Sequence, residues 1–390
     1  MYIGLTPEQQ ALRQELREYY GRLLTPDVQE DLLRGEGVGP TNRRIVRQMG
    51  QDGWLGIGWP KQYGGQGRSA IEQFLFFDES MRAGAPVPML TINTVGPTLM
   101  NFGSDEQRKR FLPKILAGEI HFSIGYTEPG AGTDLAALQT KAVRDGDEYV
   151  INGQKIFTSL ATGADYVWLA ARTNPEARKH KGISIFIVPT DTPGFKVQPM
   201  QLMGEQNTNY TFYEDVRIPA TNLVGEENGG WKLITSQLNH ERVTLCSPGI
   251  VERNLAEVRQ WAQETKLADG RRVVDQEWVQ VNLARVHARL EFLKLMNWKV
   301  AWTATQDRLD VADASSIKVF GTEFYLEAFK LLFEIVGQVG YVKRGSPESV
   351  LSSRLEHLYR GLLILTFGGG TNEVQRELIA IFGLGLPRSR

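Results

Sequence analysis

The segment 126–134, with the sequence YTEPGAGTD, brings together residue types that can hold a ligand. Its proline excludes a helix, and Gly130 and Gly132 let the backbone approach a bound molecule closely. Thr127 and Thr133 add hydroxyl groups that can donate or accept hydrogen bonds. Such a segment can cradle a flat or phosphorylated ligand. Clusters of glycine, proline and threonine also form ordinary surface turns, so a plain loop is the alternative.

Glu241 is a candidate proton acceptor because of its place in an amphipathic pattern. Four apolar residues recur at helical spacing in this stretch: Trp231, Ile234, Leu238 and Leu245. Glu241 comes three residues after Leu238 and four before Leu245, so it completes the apolar stripe. A carboxylate at a helix-packing interface is desolvated, which raises its pKa and suits it to accept a proton at neutral pH. Two alternatives stay open: a buried ion pair with His240 or Arg242, and a register shifted by one residue that exposes Glu241 to water.

A second glycine cluster, FGGGTNEVQR at 367–376, precedes a predicted final helix. Three successive glycines followed by Thr371 and Asn372 suit a backbone that follows a ligand surface and then caps the helix, whose N-terminus favours anionic groups. A flexible hinge is the alternative interpretation of the same glycines. The sequence contains neither GxxxxGK[ST] nor GxGxxG after a strand, which argues against a nucleotide kinase and a Rossmann dehydrogenase.

Composition sets the broad class of the protein. The 390 residues suffice for two or three domains, and 44 Lys and Arg against 45 Asp and Glu leave a formal charge of −1. That balance gives no electrostatic reason to expect nucleic acid or an anionic membrane as a partner. The single cysteine, Cys246, excludes an intrachain disulfide and a multi-cysteine metal site, and it is interpreted as a small core residue. The first residues lack a signal-peptide pattern and no apolar run spans a bilayer, so we expect a cytoplasmic protein without membrane insertion.

Residues 1–119 are predicted to form a helical domain. Thr6 and Gln9 frame a capping box with proline at the first helical position. The same pattern at 104–107 opens another helix. The stretch 53–69, rich in glycine and aromatic residues, is predicted to be a long loop between them.

Residues 120–225 are predicted to form a compact β domain. In DEYVINGQKIFTS, two apolar-rich arms flank Asn152-Gly153, which predicts a hairpin turn at that dipeptide. β-branched and aromatic residues continue the bias at 182–190, 195–197 and 211–219.

Residues 226–390 return to a helical period, with helices predicted at about 279–305, 312–336 and 347–365. The predicted fold class is therefore α+β, in which helices are followed by a β domain and then by a helical bundle.

Four segments together resemble the acyl-CoA dehydrogenases: YTEPGAGTD, NGQKIFTS about 20 residues later, a helix with a Glu-Arg pair, and GGGTNEVQR near the end. Their order and spacing match that family across nearly the whole chain. The resemblance implies the acyl-CoA dehydrogenase fold, with an N-terminal helical domain, a central β-barrel-like domain and a C-terminal four-helix bundle. It also implies FAD between the β domain and the bundle, and α,β-desaturation of an acyl-CoA. In that reaction a carboxylate removes the α-proton while the β-hydrogen leaves as hydride to the flavin.

The resemblance assigns ligand contacts residue by residue. The implied flavin contacts are Ile124, Tyr126, Thr127, Gly132, Thr133, Phe157, Thr158, Ser159, Gly370, Thr371 and Glu373. The implied acyl-CoA contacts are Thr133, Asn239, Arg242, Gly369 and Gly370. Phe157 stands where the family commonly has tryptophan and Ser159 where it commonly has threonine, so an aromatic face and a hydroxyl are retained.

The position of the base departs from the commoner pattern of the family. Many members carry the catalytic glutamate in a YEGT motif near the C-terminus, where this chain has Gly369. A minority place it on the first bundle helix, directly before an arginine, and Glu241 followed by Arg242 occupies that place. The resemblance and the helical periodicity therefore select Glu241 independently as the α-proton base.

Two further departures concern the FAD half-site that homotetrameric members supply to a neighbouring subunit. The segment 266–274 lacks the RxxF motif, with Lys266 and Asp269 at its places, and the usual QxxGGxG becomes EIVGQVG at 334–340. We therefore expect an α2β2 assembly, resembling the actinobacterial acyl-CoA dehydrogenases that act on steroid side-chain CoA thioesters. The expected partners are an acyl-CoA substrate, a second acyl-CoA dehydrogenase-like subunit, and an electron transfer flavoprotein or similar acceptor. The alternatives are a flavin oxidase or monooxygenase of the same superfamily, and a non-catalytic subunit that completes a partner's FAD site.

Overall fold

The computed structural model describes residues 4–35, 37–204, 207–242, 246–306 and 310–388. Within residues 238–242 the description covers the backbone alone. Helices are followed by a sheet and then by further helices, which confirms the predicted α+β class. Among the described residues, no helix combines the length and the apolar character needed to cross a bilayer.

The N-terminal part of the chain is built from α-helices. They are α1 (Pro7–Leu23), α2 (Pro26–Arg34), α3 (Pro40–Gln51), α4 (Ala70–Ala83), α5 (Gly96–Phe102) and α6 (Asp105–Leu116), with a π-helical segment Leu90–Val95 leading into α5. Both predicted capping boxes are present. Thr6 and Gln9 exchange hydrogen bonds at the start of α1. Ser104 and Gln107 do so at the start of α6, where they satisfy backbone N–H groups that a first helical turn leaves unpaired.

The middle of the chain forms one sheet. Its strands are β1 (Phe122–Gly125), β2 (Lys141–Asp145), β3 (Glu148–Lys155), β4 (Tyr166–Arg172), β5 (Ile183–Pro189), β6 (Phe195–Met200), β7 (Thr208–Pro219) and β8 (Leu223–Val224). The order across the sheet is β6-β7-β3-β2-β4-β5-β8, and β1 pairs parallel with β4. Over the described residues the path runs between two free ends, β6 and β8. The barrel-like closure that the resemblance implies is therefore not formed, and the domain is an open sheet.

The hairpin predicted at Asn152-Gly153 is wrong. Both residues lie inside β3, and the turn between β2 and β3 begins at Gly146. Gly153 has a φ of 150°, and the register of β3 against β7 shifts beside it, which identifies a β-bulge. A Cβ atom at this position would lie 2.6 Å from the Thr140 hydroxyl oxygen. The glycine therefore serves a close approach of two chain segments instead of a reversal of the chain.

Helices return after the sheet. They are α7 (Gly230–Arg242), α8 (Gly249–Glu264), α9 (Glu277–Ala304), α10 (Val311–Val336), α11 (Arg354–Gly361) and α12 (Asn372–Leu378), with a π-helical segment Ile379–Gly383 after α12. Helices α8, α9 and α10 pack against one another. The helix predicted at 347–365 is shorter, because Ser352 and Ser353 have φ values of 54° and 49°, which interrupt the helical path before α11.

Apolar side chains of the described residues collect in three cores. The first core joins the N-terminal helices, one face of the sheet and the start of α7, where Leu233 and Ile234 are buried. The second core fills the helical bundle and includes Cys246, which is fully buried against Gly321 as expected for a small core residue. The third core covers the other face of the sheet, because alternate residues of β4 point to opposite sides.

Candidate functional site

The segment 126–134, here named the first loop, leaves the carboxyl end of β1. Parallel pairing of β1 with β4 places Ile124 opposite Trp168 in the register. Trp168 is fully buried, and Ile124 is half-buried against the first core. The strand therefore fixes the start of the first loop against the centre of the sheet.

A tight turn shapes the first loop. The backbone N–H of Glu128 donates to the carbonyl of Ala131 (3.1 Å), and the N–H of Ala131 donates to the carbonyl of Glu128 (3.0 Å). Gly132 and Thr133 are exposed beyond this turn. No described atom lies within 4 Å of the place that a Cβ atom would take at Gly132. The loop thus presents open backbone and a hydroxyl group, as a ligand cradle requires.

Lys155, at the end of β3, anchors the first loop. Its Nζ donates to the carbonyl of Tyr126 (3.1 Å) and to Oε1 of Glu128 (2.7 Å). The carboxylate of Glu128 also accepts hydrogen bonds from the backbone N–H groups of Gln139 (2.7 Å) and Thr140 (2.8 Å). The two polar segments at 126–134 and 155–159 are therefore joined by one ion pair.

This ion pair lies in the protein interior, with Lys155 fully enclosed and Glu128 only 8% exposed. Burial lowers the pKa of Lys155 to about 8, although the neighbouring carboxylate works in the opposite direction. Burial alone would raise the pKa of Glu128, but the charge of Lys155 and the hydrogen bonds to the carboxylate outweigh it and leave that pKa below its usual value. Both groups are charged at neutral pH and hold the turn by charge-assisted hydrogen bonds.

The residues after Lys155 expose an aromatic ring. Phe157 has a φ of 59° and is 49% exposed, a conformation uncommon outside glycine. Thr158 is fully buried, with its hydroxyl oxygen 3.2 Å from that of Thr211, so it supports the loop from inside. The hydroxyl oxygen of Ser159 lies 3.3 Å from that of Thr208. Strained backbone of this kind costs about 1–3 kcal/mol and clusters at ligand sites, which favours a ligand role for Phe157.

The second glycine cluster, 367–371, is here named the second loop. Gly369 and Gly370 are exposed, with φ values of 68° and 96° that glycine adopts without strain. Thr371 caps α12 as predicted, since its Oγ1 accepts a hydrogen bond from the N–H of Val374 (3.2 Å). Glu373 is exposed in the first turn of the same helix.

A buried lysine of α10 fastens both ends of the second loop. The Nζ of Lys318 donates to the carbonyl of Thr366 (3.1 Å) and to Oδ1 of Asn372 (2.7 Å). Asn372 also exchanges hydrogen bonds with Thr322, one turn further along α10. Lys318 is fully buried, as Lys155 is. Each of the two loops is therefore held by an ammonium group in the protein interior.

Helix α7 lies between these two supports. The hydroxyl of Tyr126 in the first loop hydrogen-bonds to Oε1 of Gln237, and α7 also packs against α10. The backbone of Glu241 follows Gln237 by one helical turn. The side chains predicted for catalysis and CoA binding on this helix, Asn239, Glu241 and Arg242, lie outside the described residues.

Sequence patterns did not predict several residues that hold the site. Lys155, Lys318 and Gln237 are polar but buried, and a lysine inside an apolar run such as SIKVF is the signal that could have been used. Gln375 is fully buried beside Gly370, where a Cβ atom would lie 2.7 Å from its Nε2. Neither amide atom of Gln375 has a hydrogen-bond partner among the described residues.

The two loops and the segment 155–159 together offer open glycine backbone, hydroxyl groups and two exposed rings, Phe157 and Phe367, on a rigid support. That surface suits a flat aromatic ligand that packs on Phe157 and accepts hydrogen bonds from the loop around Thr133. Amide atoms without partners at Gln237 and Gln375 mark buried positions where a ligand would complete the hydrogen bonding.

Family models match most of the chain. The one described as Acyl-CoA dehydrogenase, N-terminal domain, matches residues 6–119. The middle-domain model of the same family matches residues 123–216, and its C-terminal-domain model matches residues 228–383.

One relative and chains of two solved structures match this chain over its full length and over their own. The protein named Acyl-CoA dehydrogenase FadE26 of Mycobacterium tuberculosis (strain ATCC 25618 / H37Rv) is 57% identical over 398 residues, covering 100% of both chains. A chain of the solved ChsE4-ChsE5 complex from Mycobacterium tuberculosis is 57% identical with a TM-score of 0.94, and 100% of each chain is covered. A chain of the structure described as Tcur3481-Tcur3483 steroid ACAD is 51% identical with a TM-score of 0.95, again with 100% of each chain covered. This chain therefore belongs to the acyl-CoA dehydrogenase family of oxidoreductases, which act on CH–CH groups.

Proposed function

We propose that this chain catalyses FAD-dependent α,β-desaturation of an acyl-CoA thioester, with Glu241 as the base that removes the α-proton. The observation that carries the proposal is the hydrogen bond between Tyr126 in the first loop and Gln237, one helical turn before Glu241. This contact supports a position for the base-bearing helix close to the loop that we propose for the flavin. Gly369, which stands where many family members carry the glutamate, has no side chain to accept a proton.

The described residues fit FAD. Phe157 offers a half-exposed ring for packing on the flavin, and the space beside Gly132 is open. Thr133 is exposed next to that space. Buried amide atoms without partners at Gln237 and Gln375 supply hydrogen-bonding capacity near the two loops. We propose as flavin contacts Ile124, Tyr126, Thr127, Gly132, Thr133, Phe157, Ser159, Gly370, Thr371 and Glu373, with the buried Thr158 acting through the loop that it supports.

The chain's own residues have three tasks in the reaction. Bound FAD supplies the acceptor for the β-hydrogen, which leaves as hydride. The carboxylate of Glu241 takes the α-proton, which a carboxylate can do only if the thioester oxygen is held by hydrogen-bond donors in a site that excludes water. Thr133, Asn239 and Arg242, together with Gly369 and Gly370, are proposed to bind and orient the acyl-CoA. Lys155 keeps the first loop rigid enough for this alignment.

The substitution Glu241→Gln tests the assignment of the base. Glutamine has nearly the same shape but cannot accept the proton, so we expect the rate of flavin bleaching by an acyl-CoA to fall about 10²–10⁴-fold. FAD content and acyl-CoA binding should be retained. Glu264→Gln, on the exposed end of α8, is a matched control that should leave the rate unchanged. Near-normal bleaching by the Glu241 variant would disprove the assignment, and oxygen-dependent turnover of a substrate without CoA would favour an oxidase instead.

We further propose that a second acyl-CoA dehydrogenase-like subunit completes the FAD site. Two cations of the segment 266–274 are paired within this chain, since Arg271 pairs with Asp269 (2.6 Å) and Arg272 pairs with Asp275 (2.7 Å). Glu334 is exposed at the other departing motif, at the end of α10, and adds a negative charge. A surface with this charge balance is poorly suited to bind an anionic pyrophosphate.

Co-expression with a second subunit tests this proposal. We expect one FAD for every two chains in the complex, and little FAD or activity in this chain alone. A fully flavinated and active homotetramer of this chain would contradict it. The double substitution Lys266→Arg with Asp269→Phe recreates RxxF and should increase FAD retention by this chain alone, whereas Lys266→Arg with Asp269→Ala lacks the ring and should not.

We propose a bulky or branched acyl chain, such as a steroid side chain, as the substrate of this enzyme. The support is similarity, since a relative with a full-length match is described as a steroid ACAD. Comparing kcat/KM for a steroid side-chain CoA with that for palmitoyl-CoA tests the preference, with an electron transfer flavoprotein as the proposed acceptor. Preference for the straight chain would contradict it.

A further inference from the structure

Trp168, Tyr126 and Gln237 form a chain of hydrogen bonds that crosses from the sheet to α7. The Nε1–H of Trp168 donates to the hydroxyl of Tyr126 (3.1 Å), and this hydroxyl donates to Oε1 of Gln237. Trp168 is fully buried, Gln237 is 2% exposed and Tyr126 is half-buried. Hydrogen bonds in such an environment are stronger than in water and reinforce one another along the chain.

The sheet end of this chain is rigidly held. Trp168 sits in the middle of β4, between β1 and β5, and the carbonyl of Tyr126 is fixed by Lys155. On the helix side, the hydroxyl of Thr235 bonds to carbonyls of α7 itself. Gln237 therefore makes the side-chain hydrogen bond that links the described part of α7 to the first loop.

The amide of Gln237 is not explained by packing alone. Its Nε2 is buried and has no hydrogen-bond partner among the described residues. An apolar side chain of similar size would avoid the cost of that unpaired donor. An amide at this position therefore points to a role in the working site, where its oxygen holds Tyr126.

The helix geometry connects this contact to the proposed base. Position 241 lies four residues after Gln237, which is about 6 Å along the axis of α7. A rotation or slide of the helix at Gln237 would displace Glu241 by a similar amount relative to the first loop. A base acts only within hydrogen-bond reach of its proton, and a 1 Å displacement can cost about 100-fold in rate.

We propose that Tyr126 and Gln237 are a positioning pair, which fixes the base-bearing helix α7 against the flavin-binding first loop. The inference rests on the proposed function. Neither residue takes the proton, because both act through Glu241. The pair selects one arrangement of the helix and the loop, and packing of apolar side chains then stabilises it.

The test uses Tyr126→Phe, Gln237→Leu and the double variant in the complete enzyme, with its partner subunit where that is needed. Tyr20→Phe is the matched control, because Tyr20 is also a buried tyrosine within the N-terminal helices. Its hydroxyl oxygen lies 2.6 Å from that of Ser80 and 4.0 Å from Sδ of Met49. Each protein is measured for FAD content, unfolding midpoint and the rate of flavin bleaching by cholanoyl-CoA, a steroid side-chain thioester. A thioester with sulfur in place of the β-carbon serves as a second probe, since it can lose its α-proton but cannot release a hydride.

Rates are taken per bound FAD, because Tyr126 and Gln237 also lie at the proposed flavin site. On that basis we expect Tyr126→Phe and Gln237→Leu each to slow bleaching and α-proton removal by about tenfold or more, with KM nearly unchanged. Both single variants remove the contact between Tyr126 and Gln237, and Tyr126→Phe also removes the bond from Trp168. The double variant should therefore be no slower than Tyr126→Phe alone. Tyr20→Phe should lower the unfolding midpoint without changing these rates.

Other outcomes overturn the inference. Wild-type rates in both single variants would show that the contact does not set the helix position, and so would losses that multiply in the double variant. If the wild-type enzyme itself neither binds FAD nor is bleached, the proposed function fails and the positioning role fails with it. If the wild-type enzyme binds FAD and is bleached, and the variants have the same rates, the positioning role fails while the proposed function stands.

Discussion

Lys155 and Lys318 are two fully buried lysines that each donate to a main-chain carbonyl beside a glycine-rich loop. A buried ammonium group is costly unless it is paired and hydrogen-bonded. The loops that these lysines hold expose glycine backbone, so they have few side chains of their own to pack. We infer that the lysines replace that missing packing and keep the loop backbones in place while one side stays open to a ligand.

The substitution Lys155→Met tests this role at the level of a single side chain. It leaves the carboxylate of Glu128 buried without its cation, so we expect a loss of about 3–5 kcal/mol in the free energy of unfolding, measured by urea denaturation. Adding Glu128→Gln to the variant removes the uncompensated charge. The double variant should therefore be more stable than Lys155→Met alone. A Lys155→Met protein as stable as the wild type would contradict the importance of the pair.

Local sequence signals predicted elements well where the responsible contacts are also local. The capping boxes at Thr6 and Ser104 and the cap at Thr371 are confirmed, because each depends on residues within one helical turn. The hairpin prediction at Asn152-Gly153 is wrong, because the same dipeptide is also tolerated at a bulge when a distant segment, here at Thr140, leaves no room for a side chain. Tertiary packing therefore determines that this dipeptide forms a β-bulge and not a hairpin turn.

In the candidate site, too, features that depend on nearby residues could be predicted and features that depend on distant residues could not. The composition of 126–134 and 367–376 was enough to propose two ligand loops, since glycine and hydroxyl residues are needed whatever supports them, and their ligand role stays a prediction. The supports could not be predicted, because Tyr126 and Gln237 are 111 positions apart and meet only in the folded chain. Periodicity proposed Glu241 for the base, and that role stays a prediction.

Gly153 and Gly146 make a matched pair for testing the bulge in β3. Alanine at Gly146, where φ is 63° and the surroundings are open, should cost only the backbone strain of about 1–2 kcal/mol. Alanine at Gly153 adds a clash with Thr140, so we expect a loss of about 4 kcal/mol in the free energy of unfolding. Equal losses in the two variants, measured by chemical denaturation, would argue against the close approach.

At the scale of the whole molecule, α4 is tied to the helical bundle through a carboxylate. Oδ1 of Asp78 accepts hydrogen bonds from the hydroxyl of Ser247 (2.6 Å) and the N–H of Gly249 (2.8 Å), at the start of α8. Burial raises the pKa of Asp78 to about 6, against the lowering effect of these hydrogen bonds. The junction between the N-terminal helices and the bundle therefore contains a group that titrates in mildly acidic solution.

Asp78→Asn should change the pH dependence of stability. Between pH 4 and 6 the folded protein keeps a proton on Asp78 that the unfolded chain has released, so this group makes stability fall as pH rises, by up to about 3 kcal/mol. An asparagine oxygen can accept both hydrogen bonds but does not titrate. We expect the variant to lack this fall in urea denaturation curves recorded across that range.

His121 serves as a control, because its effect on the pH dependence of stability has the opposite sign to that of Asp78. Burial, reinforced by the charge of Arg43, lowers its pKa to about 4, so the folded protein lacks a proton that the unfolded chain holds between pH 4 and 6.5. This group makes stability rise with pH and be lost as pH falls toward 4. His121→Gln should therefore remove a rise where Asp78→Asn removes a fall. Shifts of the same sign in both variants would contradict the assignment.

The segment 233–246 has one end buried in the first apolar core and the other end buried in the second. Leu233 and Ile234, near the start of α7, are buried in the core shared by the N-terminal helices and the sheet, whereas Cys246, just beyond the helix, is buried in the bundle. The alignment of α7, the helix proposed to carry the base, thus depends on both cores. If the two cores melt at different temperatures in a calorimetric scan, catalysis should disappear at the lower transition, and stabilising the stronger core should not extend the working temperature of the enzyme.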